Sequence, residues 1–346
     1  SLLVAVGALG RGAPFKECVT HGWTVDGEGK AMHKSLGNGM DPAEIFDKYG
    51  ADLLRLWAGS SDYHVDVRCS DEIFKQLSQN YLKFRNTCKF CLDNLVNFDP
   101  NDLVKPEEML PLDKWAVTRL NDLIGKVFGW YDNYEFHAVS HAINDFCVVD
   151  MSNFYLDIIK DRLYCDKPGS LERRSAQTVL AELFSMLMRD LQPILSYTVD
   201  EAMAYAPAGC VDHQKYAALL DWYKSPITFD EANEFEGVLE ASLELRSAVT
   251  KALEDARSAG TFTKSQQVRV KAVVPAEMYA LLTGDKAVDL AEFYIVSDVE
   301  LTQGEELSVC IDAAEGECCD RCWNYRTTVG EYNGHAHICK RCADAL

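Results

Sequence analysis

The stretch SDEIFKQLSQNYLKFRNTCKFCLDNL, residues 70–95, decides the fold class of this chain. Its apolar side chains recur at steps of three and four residues, from Phe74 through Phe84 and Cys91 to Leu95. Side chains at these steps share one face of an α-helix, and such a face is buried against other helices. The stretch therefore predicts the first long helix of a helical domain.

The same periodicity recurs further along the chain. It predicts long helices at about 113–132, 135–160, 171–204 and 232–259. A connection with several prolines, FDPNDLVKPEEMLPLD at 98–113, separates the first helix from the rest. We expect the helices to pack as an antiparallel bundle over residues 70–260.

After residue 260 the pattern changes from helix to strand. The segments QVRVKAVV, FYIVSDVEL and LSVCIDAA are short, rich in β-branched residues and typical of strands, with one short helix among them. They predict a small α/β appendage over residues 261–315.

The last segment, residues 316–346, carries two Cys-x-x-Cys pairs separated by sixteen residues. The pairs are Cys319 with Cys322, and Cys339 with Cys342. Each pair can turn two thiolates toward one centre, and two pairs complete a tetrahedron, which is typical of a structural zinc ion. A reduced thiol cluster or a redox pair is the alternative interpretation.

The first 69 residues combine short segments. Residues 2–9 are typical of the end of a helix, 15–23 of a strand, and 43–50 and 51–59 of two short helices. The sequence begins on an apolar run without Met, a basic region or a cleavage site. We therefore expect a fragment that starts within a domain and carries no signal peptide.

A glycine-studded loop, GEGKAMHKSLGNGMDP at residues 27–42, precedes the two short helices. Its glycines permit close backbone approach, Lys30 and Lys34 carry charges suited to phosphates, and Ser35 adds a hydroxyl donor. The spacing of a P-loop is missing. On spacing alone, the loop is compatible with phosphate binding and with an ordinary solvated surface loop.

The composition narrows the class of protein. The 54 acidic and 34 basic residues give a net charge of -20, which argues against a purely nucleic-acid-binding module but permits an enzyme with a local basic groove. Most of the 13 cysteines lie singly within apolar patterns, as expected in a reducing compartment. No apolar run is long enough to cross a membrane. These features predict a cytoplasmic protein.

Several segments carry a family resemblance, in one order along the chain. HGWTVDGEGKAMHKSLGNGMDP (residues 21–42) resembles the KMSKS loop of class I aminoacyl-tRNA synthetases. Residues 57–100, DMSNFYLDIIKDRLYCD (150–166) and the terminal CCDRCW and CKRC resemble the bacterial isoleucyl-tRNA synthetase family. The valyl and leucyl families share the loop and the bundle, but the four-cysteine module favours the isoleucyl family.

The resemblance implies a mainly α fold in four parts. These are the end of a class I Rossmann-type catalytic domain (1–69), a helical anticodon-binding bundle (70–260), the α/β appendage (261–315) and a zinc module (316–346). It also implies a monomeric, ATP-dependent ligase that joins isoleucine to tRNA-Ile through isoleucyl-adenylate. We expect the family's HIGH motif and editing domain upstream of residue 1, so we expect the isolated chain to be inactive in adenylate formation.

In the family, the KMSKS loop closes over ATP, which binds with Mg²⁺, and stabilises its phosphates. Here Lys34 matches the second lysine of the motif and Ser35 its final serine, while Ala31 replaces the first lysine and His33 the middle serine. Lys30 lies one position early, as a partial substitute. The resemblance thus implies Lys34 as the catalytic residue and, as ATP-binding residues, Lys30, His33, Lys34 and Ser35.

The resemblance further implies that the bundle and the zinc module contact tRNA-Ile. Basic side chains would hold phosphates while an aromatic ring stacks on an unpaired base. The candidate contacts are Lys83, Arg85, Asn86 and Lys89 on the bundle, and Arg321, Trp323, Arg326, Lys340 and Arg341 near the cysteines. The alternative for each is a solvated surface residue, and for Trp323 a core ring that covers the zinc.

Two other functions are compatible with the sequence. One is a non-catalytic tRNA-binding module derived from a synthetase, which the two substitutions in the loop favour. The other is an unrelated zinc-ribbon interaction protein that uses the bundle as a scaffold, which the order of the matching segments disfavours.

Overall fold

The computed structural model describes residues 4–13, 15–212, 214–225, 227–229, 232–332 and 334–346, with the backbone only of Ala5, Lys34 and residues 232–235. The described chain is mostly helical. It divides into two compact units, residues up to 81 with 130–141, and residues 82–129 with 142–346. Within these ranges, no helix is both long and apolar enough to pass through a membrane.

The first unit contains two short parallel strands and several short helices. Strand β1 (Thr24–Val25) pairs with β2 (Val67–Arg68). The helical segments are a π-helical turn at Val4–Ala8, a 3-10 turn at Lys34–Leu36, α1 (Pro42–Tyr49) and α2 (Ala51–Ser60). Asp41 starts α1 by accepting a hydrogen bond from the Ala43 amide, and a proline in the first turn is already shaped for a helix.

The strand predicted at residues 15–23 is wrong. Strand β1 is confined to Thr24–Val25, and the apolar side chains of Phe15 and Val19 are about half exposed. A strand persists only where a neighbour pairs with its backbone. The described backbone hydrogen bonds to the neighbouring segment begin at Gly22, whose N–H donates to the Tyr63 carbonyl at 2.8 Å.

The helical bundle is confirmed. Its helices are α3 (Asp71–Asn94), α4 (Pro111–Asp132), α5 (Phe136–Asp145), α6 (Leu156–Ile158), α7 (Lys160–Cys165), α8 (Leu171–Asp190), α9 (Ser196–Met203) and α10 (Ala232–Ser258). Short 3-10 turns lie at Pro100–Asp102, Pro106–Glu108 and Ala217–Leu219. The stripe on α3 is buried as its periodicity predicts, since Phe74, Phe84, Cys91 and Leu95 are each at most 1% exposed.

Helix α8 lies inside its unit, and every residue from Ser175 to Asp190 is buried. Its polar side chains hold neighbouring segments in place. The Thr178 hydroxyl accepts a hydrogen bond from the Val104 amide at 3.0 Å, and the Gln177 amide donates to the Asn94 carbonyl at 2.9 Å. Buried polar groups of this kind are tolerated because they are hydrogen-bonded.

Two of the predicted long helices are interrupted. The helix predicted at 171–204 ends at Asp190 and resumes at Ser196, because Pro193 has no backbone N–H to continue the ladder. The helix predicted at 135–160 contains a π-helical stretch at Phe146–Tyr155, after which α6 and α7 follow as separate short helices. A hydrophobic pattern does not distinguish a π-helical segment from an α-helix of the same length.

The predicted α/β appendage is confirmed as a three-stranded sheet, but it contains two helices where the sequence predicts one. Strand β3 (Val268–Val274) lies in the centre, parallel to β4 (Asp298–Gln303) and antiparallel to β5 (Ser308–Ala313). A 3-10 turn at Ser265–Gln267 precedes β3, and the helices are α11 (Ala276–Thr283) and α12 (Leu290–Tyr294).

The strand prediction at 293–301 is half wrong. Helix α12 occupies its first residues, Ile295 ends the helix with a φ of 57°, and the strand begins only at Asp298. Asp289 explains the helix, because its carboxylate accepts hydrogen bonds from the Ala291 and Glu292 amides as an N-cap. Beyond the appendage follow β6 (Glu317–Cys318), β7 (Tyr325–Arg326) and α13 (Lys340–Asp344).

Candidate functional site

Four cysteine thiols converge in the last segment of the chain. The Sγ atoms of Cys319, Cys322, Cys339 and Cys342 all lie within 4.8 Å of one another, and three of the four residues are buried. In the described part of the chain, no other group of three or more histidine, cysteine or acidic side chains converges in this way. The sequence spacing therefore predicts the same four residues that the fold brings together.

The geometry of the cluster fits a zinc ion. The Sγ atoms of Cys322 and Cys339, one from each pair, lie 3.9 Å apart. Zn–S bonds are about 2.3 Å long, so the edges of a tetrahedral site are about 3.8 Å. Four soft thiolates without a carboxylate or an open position suit a structural rather than a catalytic ion.

The first Cys-x-x-Cys pair is closed by a tight turn. The Trp323 N–H donates to the Cys319 carbonyl at 2.8 Å, and Trp323 itself has a left-handed φ of 61°. Strands β6 and β7 flank this turn, with Glu317 opposite Arg326. Gly316 is required just before β6, because a Cβ there would lie 2.3 Å from the Arg326 carbonyl group and its φ is +90°.

The second pair uses a helix. Cys339 immediately precedes α13, and its carbonyl accepts a hydrogen bond from the Ala343 amide at 3.0 Å. Cys342 lies within α13 and is fully buried. A turn of α-helix brings residues three apart to the same face, so both thiols of this pair point to one centre.

The thiols do not ionise equally. Burial raises the pKa of Cys319, but nearby backbone N–H groups outweigh it and bring that pKa down to about 7. One of these donors is the Cys339 amide, 3.3 Å from the Cys319 Sγ atom. Burial and the neighbouring thiols raise the pKa of Cys342 to about 12. A divalent cation would offset the repulsion between the thiolates, so metal binding and ionisation are coupled.

The predicted tRNA contacts near the cysteines fall into two groups. Trp323 is 60% exposed, Lys340 is exposed and Arg326 is half-buried. The Lys264 ammonium lies 5.7 Å from the centre of the Trp323 ring. Since this ring faces solvent, it does not act as a buried cover over the cysteines.

Arg321 and Arg341, in contrast, have partners within the protein. Arg321 donates to the carbonyls of Cys342 at 2.9 Å and Tyr164 at 3.3 Å. Arg341 forms an ion pair with Asp161 at 2.6 Å. A cavity of about 760 Å³ lies beside these contacts. It is lined by α7, α12 and the last segment of the chain, residues 316–346, which is called the cysteine module below.

The predicted contacts on the bundle all lie on the exposed side of α3. Lys83, Arg85, Asn86 and Lys89 are exposed, and Lys83, Asn86 and Lys89 follow one another at steps of three residues. Lys89 forms an ion pair with Asp93 at 2.6 Å, one turn further along the helix. Surface pairs of this kind are weak and leave the lysine available to a stronger anion.

The glycine-studded loop is organised by Asp26 and Asn38. Asp26 accepts hydrogen bonds from the Glu28 and Lys30 amides at 3.0 and 2.9 Å, and Asn38 donates to it at 2.8 Å. Asn38 also accepts from the His33 amide at 2.9 Å. The loop is thus closed across its base by two side chains.

The predicted ATP-binding residues lie at the outer part of this loop. His33 and Ser35 are exposed, and the Lys30 ammonium pairs with Glu28 at 2.6 Å, both side chains being about three-quarters exposed. Lys34 begins the 3-10 turn Lys34–Leu36, and its side chain lies outside the described part of the structure.

Asp26 and Asn38 are residues that the sequence reasoning missed. An Asp followed by Gly-x-Gly is a signal for a turn in which the side chain accepts backbone hydrogen bonds, and this signal was available for Asp26. Asn38 had no comparable signal, because its partners lie up to twelve residues away. Asp161, the partner of Arg341, could not be found from sequence because 180 positions separate the two residues.

Three protein-family profiles match the chain. The anticodon-binding domain of tRNA ligases matches residues 113–272, and tRNA synthetases class I (I, L, M and V) match residues 1–70. The zinc finger found in FPG and IleRS matches residues 316–345, which contain the four cysteines. The three matches fall in the order of the segments that carry the family resemblance.

Full-length relatives give a consistent result. The isoleucine–tRNA ligase of Moorella thermoacetica is 45% identical to the chain over 363 residues, that of Syntrophotalea carbinolica 42% over 357, and that of a Thermoanaerobacter species 40% over 366. Each comparison covers 100% of this chain and 38% of the relative. The chain therefore spans 38% of the length of these curated relatives.

Proposed function

We propose that this chain belongs to the isoleucine–tRNA ligase family, and that it carries the tRNA-recognition half of such an enzyme together with the loop that closes over ATP. Because the chain spans 38% of its relatives, the complete reaction is proposed for the whole enzyme. In that reaction the isoleucine carboxylate attacks the α-phosphate of ATP and pyrophosphate leaves. A hydroxyl group of tRNA-Ile then attacks the acyl carbon of the isoleucyl-adenylate, and AMP leaves.

The observation that carries the proposal is the four-thiol cluster at the end of a chain whose middle matches an anticodon-binding domain. A zinc ion held by Cys319, Cys322, Cys339 and Cys342 would tie the two turns of the last segment together, as structural support. The chain's own residues would make the contacts with RNA. The exposed Trp323 ring is available for an unpaired base, and Lys264 beside it for a phosphate.

The cations on α3 would bind the RNA backbone. Lys83, Arg85 and Lys89 supply three positive charges on one exposed side of the helix, and Asn86 adds hydrogen-bonding groups between them. The whole chain carries a net charge of -20, so RNA can be held only where positive charge is concentrated locally. Binding that depends on such contacts weakens steeply with salt.

In adenylate formation, the loop at 27–42 would stabilise charge on the phosphates of ATP. Lys34 occupies the position of the motif's second lysine and is the proposed catalytic residue, with Ser35 as a hydroxyl donor. His33 and Lys30 are the proposed further contacts. Loss of one fixed donor of this kind costs about 2 to 4 kcal/mol of transition-state stabilisation.

A second candidate function is a tRNA-binding module without catalysis. The substitution of the first motif lysine by Ala31 favours it. Both functions require tRNA binding, and they differ in whether the loop still acts on ATP.

The test is a titration of the zinc-loaded chain with two tRNAs at two salt concentrations. One tRNA accepts isoleucine, and the other differs from it only in the anticodon. A preference of at least ten-fold, about 1.4 kcal/mol, for the correct anticodon is the expected result. Equal and strongly salt-dependent binding of both tRNAs, or no binding, contradicts the proposed recognition role.

A further inference from the structure

We propose that Arg341 and Arg321 are positioning residues that dock the cysteine module on helix α7, instead of contacting RNA. This dock sets where the exposed Trp323 ring stands relative to the bundle. The inference rests on the proposed function, because it concerns how the RNA-binding surface is held. It also replaces the sequence-based interpretation of these two arginines as direct tRNA contacts.

Arg341 forms the first half of the dock. Its guanidinium Nη1 lies 2.6 Å from a carboxylate oxygen of Asp161 in α7 and 3.7 Å from one of Asp166, just after that helix. The side chains of Asp161 and Asp166 are only 25% and 16% exposed. Ion pairs that are partly withdrawn from water are screened less than surface pairs, so this contact holds α13 against α7.

Arg321 forms the second half. It lies between Cys319 and Cys322, and it donates to two carbonyls, that of Cys342 in the other pair and that of Tyr164 in α7. The Cys165 thiol in turn donates to the Arg321 carbonyl at 3.6 Å. Each Cys-x-x-Cys pair thus has one arginine between its two cysteines. Both arginines contact α7, a helix of six residues.

Helix α7 is itself firmly held, so it can serve as a platform. Arg162 in α7 is 3% exposed and pairs with the buried Asp113 of α4 at 2.9 Å and with Glu292 of α12 at 2.8 Å. The ring of Trp323, the residue after Cys322, faces solvent beside this arrangement. Movement of the module relative to α7 would therefore displace the ring from the position that the bundle offers to RNA.

The dock and a direct RNA contact make opposite predictions for the carboxylate. If Arg341 binds a phosphate, replacing Asp161 removes a competing negative charge and tRNA binding stays equal or becomes tighter. If Arg341 docks the module, replacing Asp161 releases it and binding weakens. Asp161→Asn therefore discriminates between the two roles by the sign of its effect.

The experiment measures tRNA affinity for the zinc-loaded chain and its variants Asp161→Asn, Arg341→Gln and the double variant. Glu172→Gln is the matched control for Asp161→Asn, because Glu172 lines the same cavity and its replacement removes one negative charge as well, but it takes no part in the dock. We expect a loss of about 3- to 10-fold for each single variant. The double variant is expected to bind tRNA no less tightly than the single variant with the lower affinity, because both changes remove the same contact.

Amide hydrogen exchange provides a readout that does not depend on RNA. Exchange in residues 160–165 and 340–344 should rise in Asp161→Asn and in Arg341→Gln, with zinc content unchanged, and should stay unchanged in Glu172→Gln. Unchanged exchange in both single variants overturns the dock.

The tRNA affinities of the variants decide whether the dock positions the RNA-binding surface. Unchanged or tighter binding by Asp161→Asn overturns the positioning role. Weaker binding by Arg341→Gln alone, with a salt slope lower by about one, identifies a direct phosphate contact instead. If the unaltered chain binds no tRNA, the proposed function and the RNA role of the dock fall together, while the exchange data still judge the dock itself.

Discussion

At the residue scale, neighbouring cysteines have very different surroundings. Cys342 is fully buried in the four-thiol cluster, whereas the adjacent pair Cys318 and Cys319 is split between solvent and the cluster. The Cys318 Sγ atom lies outside the cluster, 3.5 Å from the Trp323 carbonyl. The Cys-x-x-Cys spacing selects Cys319 and not its neighbour Cys318, and the positions of the two thiols agree with that choice.

This difference predicts the zinc content of two serine variants. The zinc content of Cys342→Ser should fall from about one ion per chain to a small fraction of that, because three thiolates leave one position of the tetrahedron empty. Cys318→Ser should keep the full content. Atomic emission spectroscopy of the purified proteins checks both, and full zinc in Cys342→Ser would rule out this ligand set.

Asp26 provides a pH-dependent prediction. The Asn38 amide, followed by the Lys30 and Glu28 backbone N–H groups, holds the pKa of the Asp26 carboxyl below its ordinary value. A carboxyl with a lowered folded-state pKa stabilises the fold at pH values above its ordinary pKa, and this contribution is lost as the pH falls through the folded-state value. The closed loop base should therefore persist at neutral pH and loosen in acid.

The variant Asn38→Ala isolates the main cause of this shift. It should move the pKa of Asp26 up toward the ordinary range of aspartate, because the largest stabiliser of the ionised form is removed. A carbon-13 NMR titration of the aspartate carboxyls measures it. The same pKa in the variant and the parent chain would show that Asn38 does not organise the loop.

At the element scale, helices α4, α7 and α12 meet in one buried charge network. Arg162 of α7 lies between the carboxylates of Asp113 and Glu292, and the Tyr155 hydroxyl donates to Asp113 at 2.6 Å. Burial and the nearby carboxylate raise the pKa of Tyr155, which therefore stays a donor at neutral pH. The network ties the bundle to the appendage.

Replacing Arg162 should show how much an unpaired buried charge lowers the free energy of unfolding. Arg162→Met leaves Asp113, which is 0% exposed, without its cation, and should destabilise the chain by about 3 to 5 kcal/mol. Lys160→Met in the same helix removes an exposed pair with Asp157 and should cost less than about 1 kcal/mol. Urea unfolding compares the two.

A double variant tests the explanation. Asp113→Asn combined with Arg162→Met should be more stable than Arg162→Met alone, because the fully buried one of the two carboxylates that Arg162 pairs with no longer carries a charge. If the double variant is less stable than the single one, the cost lies in packing and not in the unpaired carboxylate.

At the scale of the whole molecule, the 346-residue sequence contains the KMSKS-like loop but no HIGH motif. In the synthetase families that the chain resembles, both motifs contribute to the ATP site. We therefore predict that these 346 residues alone give no isoleucine-dependent ATP–pyrophosphate exchange. A measurable exchange rate that Lys34→Ala abolishes would contradict the prediction and place catalysis within this chain.

Much of the architecture could be predicted because it depends on short-range patterns. The buried stripe of α3 follows from the 3.6-residue period, and β3 from the alternation of Val268, Val270, Ala272 and Val274. The interruption around Pro193 was also encoded locally, but the prediction of one long helix overlooked it. The π-helical stretch at Phe146–Tyr155 had no local signal, since it depends on how that segment packs.

The sequence by itself determined the helical bundle, the appendage and the convergence of four thiols, because periodicity and Cys-x-x-Cys spacing act within a few residues of the chain. Only the tertiary structure decided what the arginines beside those thiols contact. Arg341 meets Asp161 and Arg321 meets Tyr164 across more than 150 positions of sequence. Such contacts depend on where two elements come to rest against each other, and a single sequence carries no local signal of that geometry.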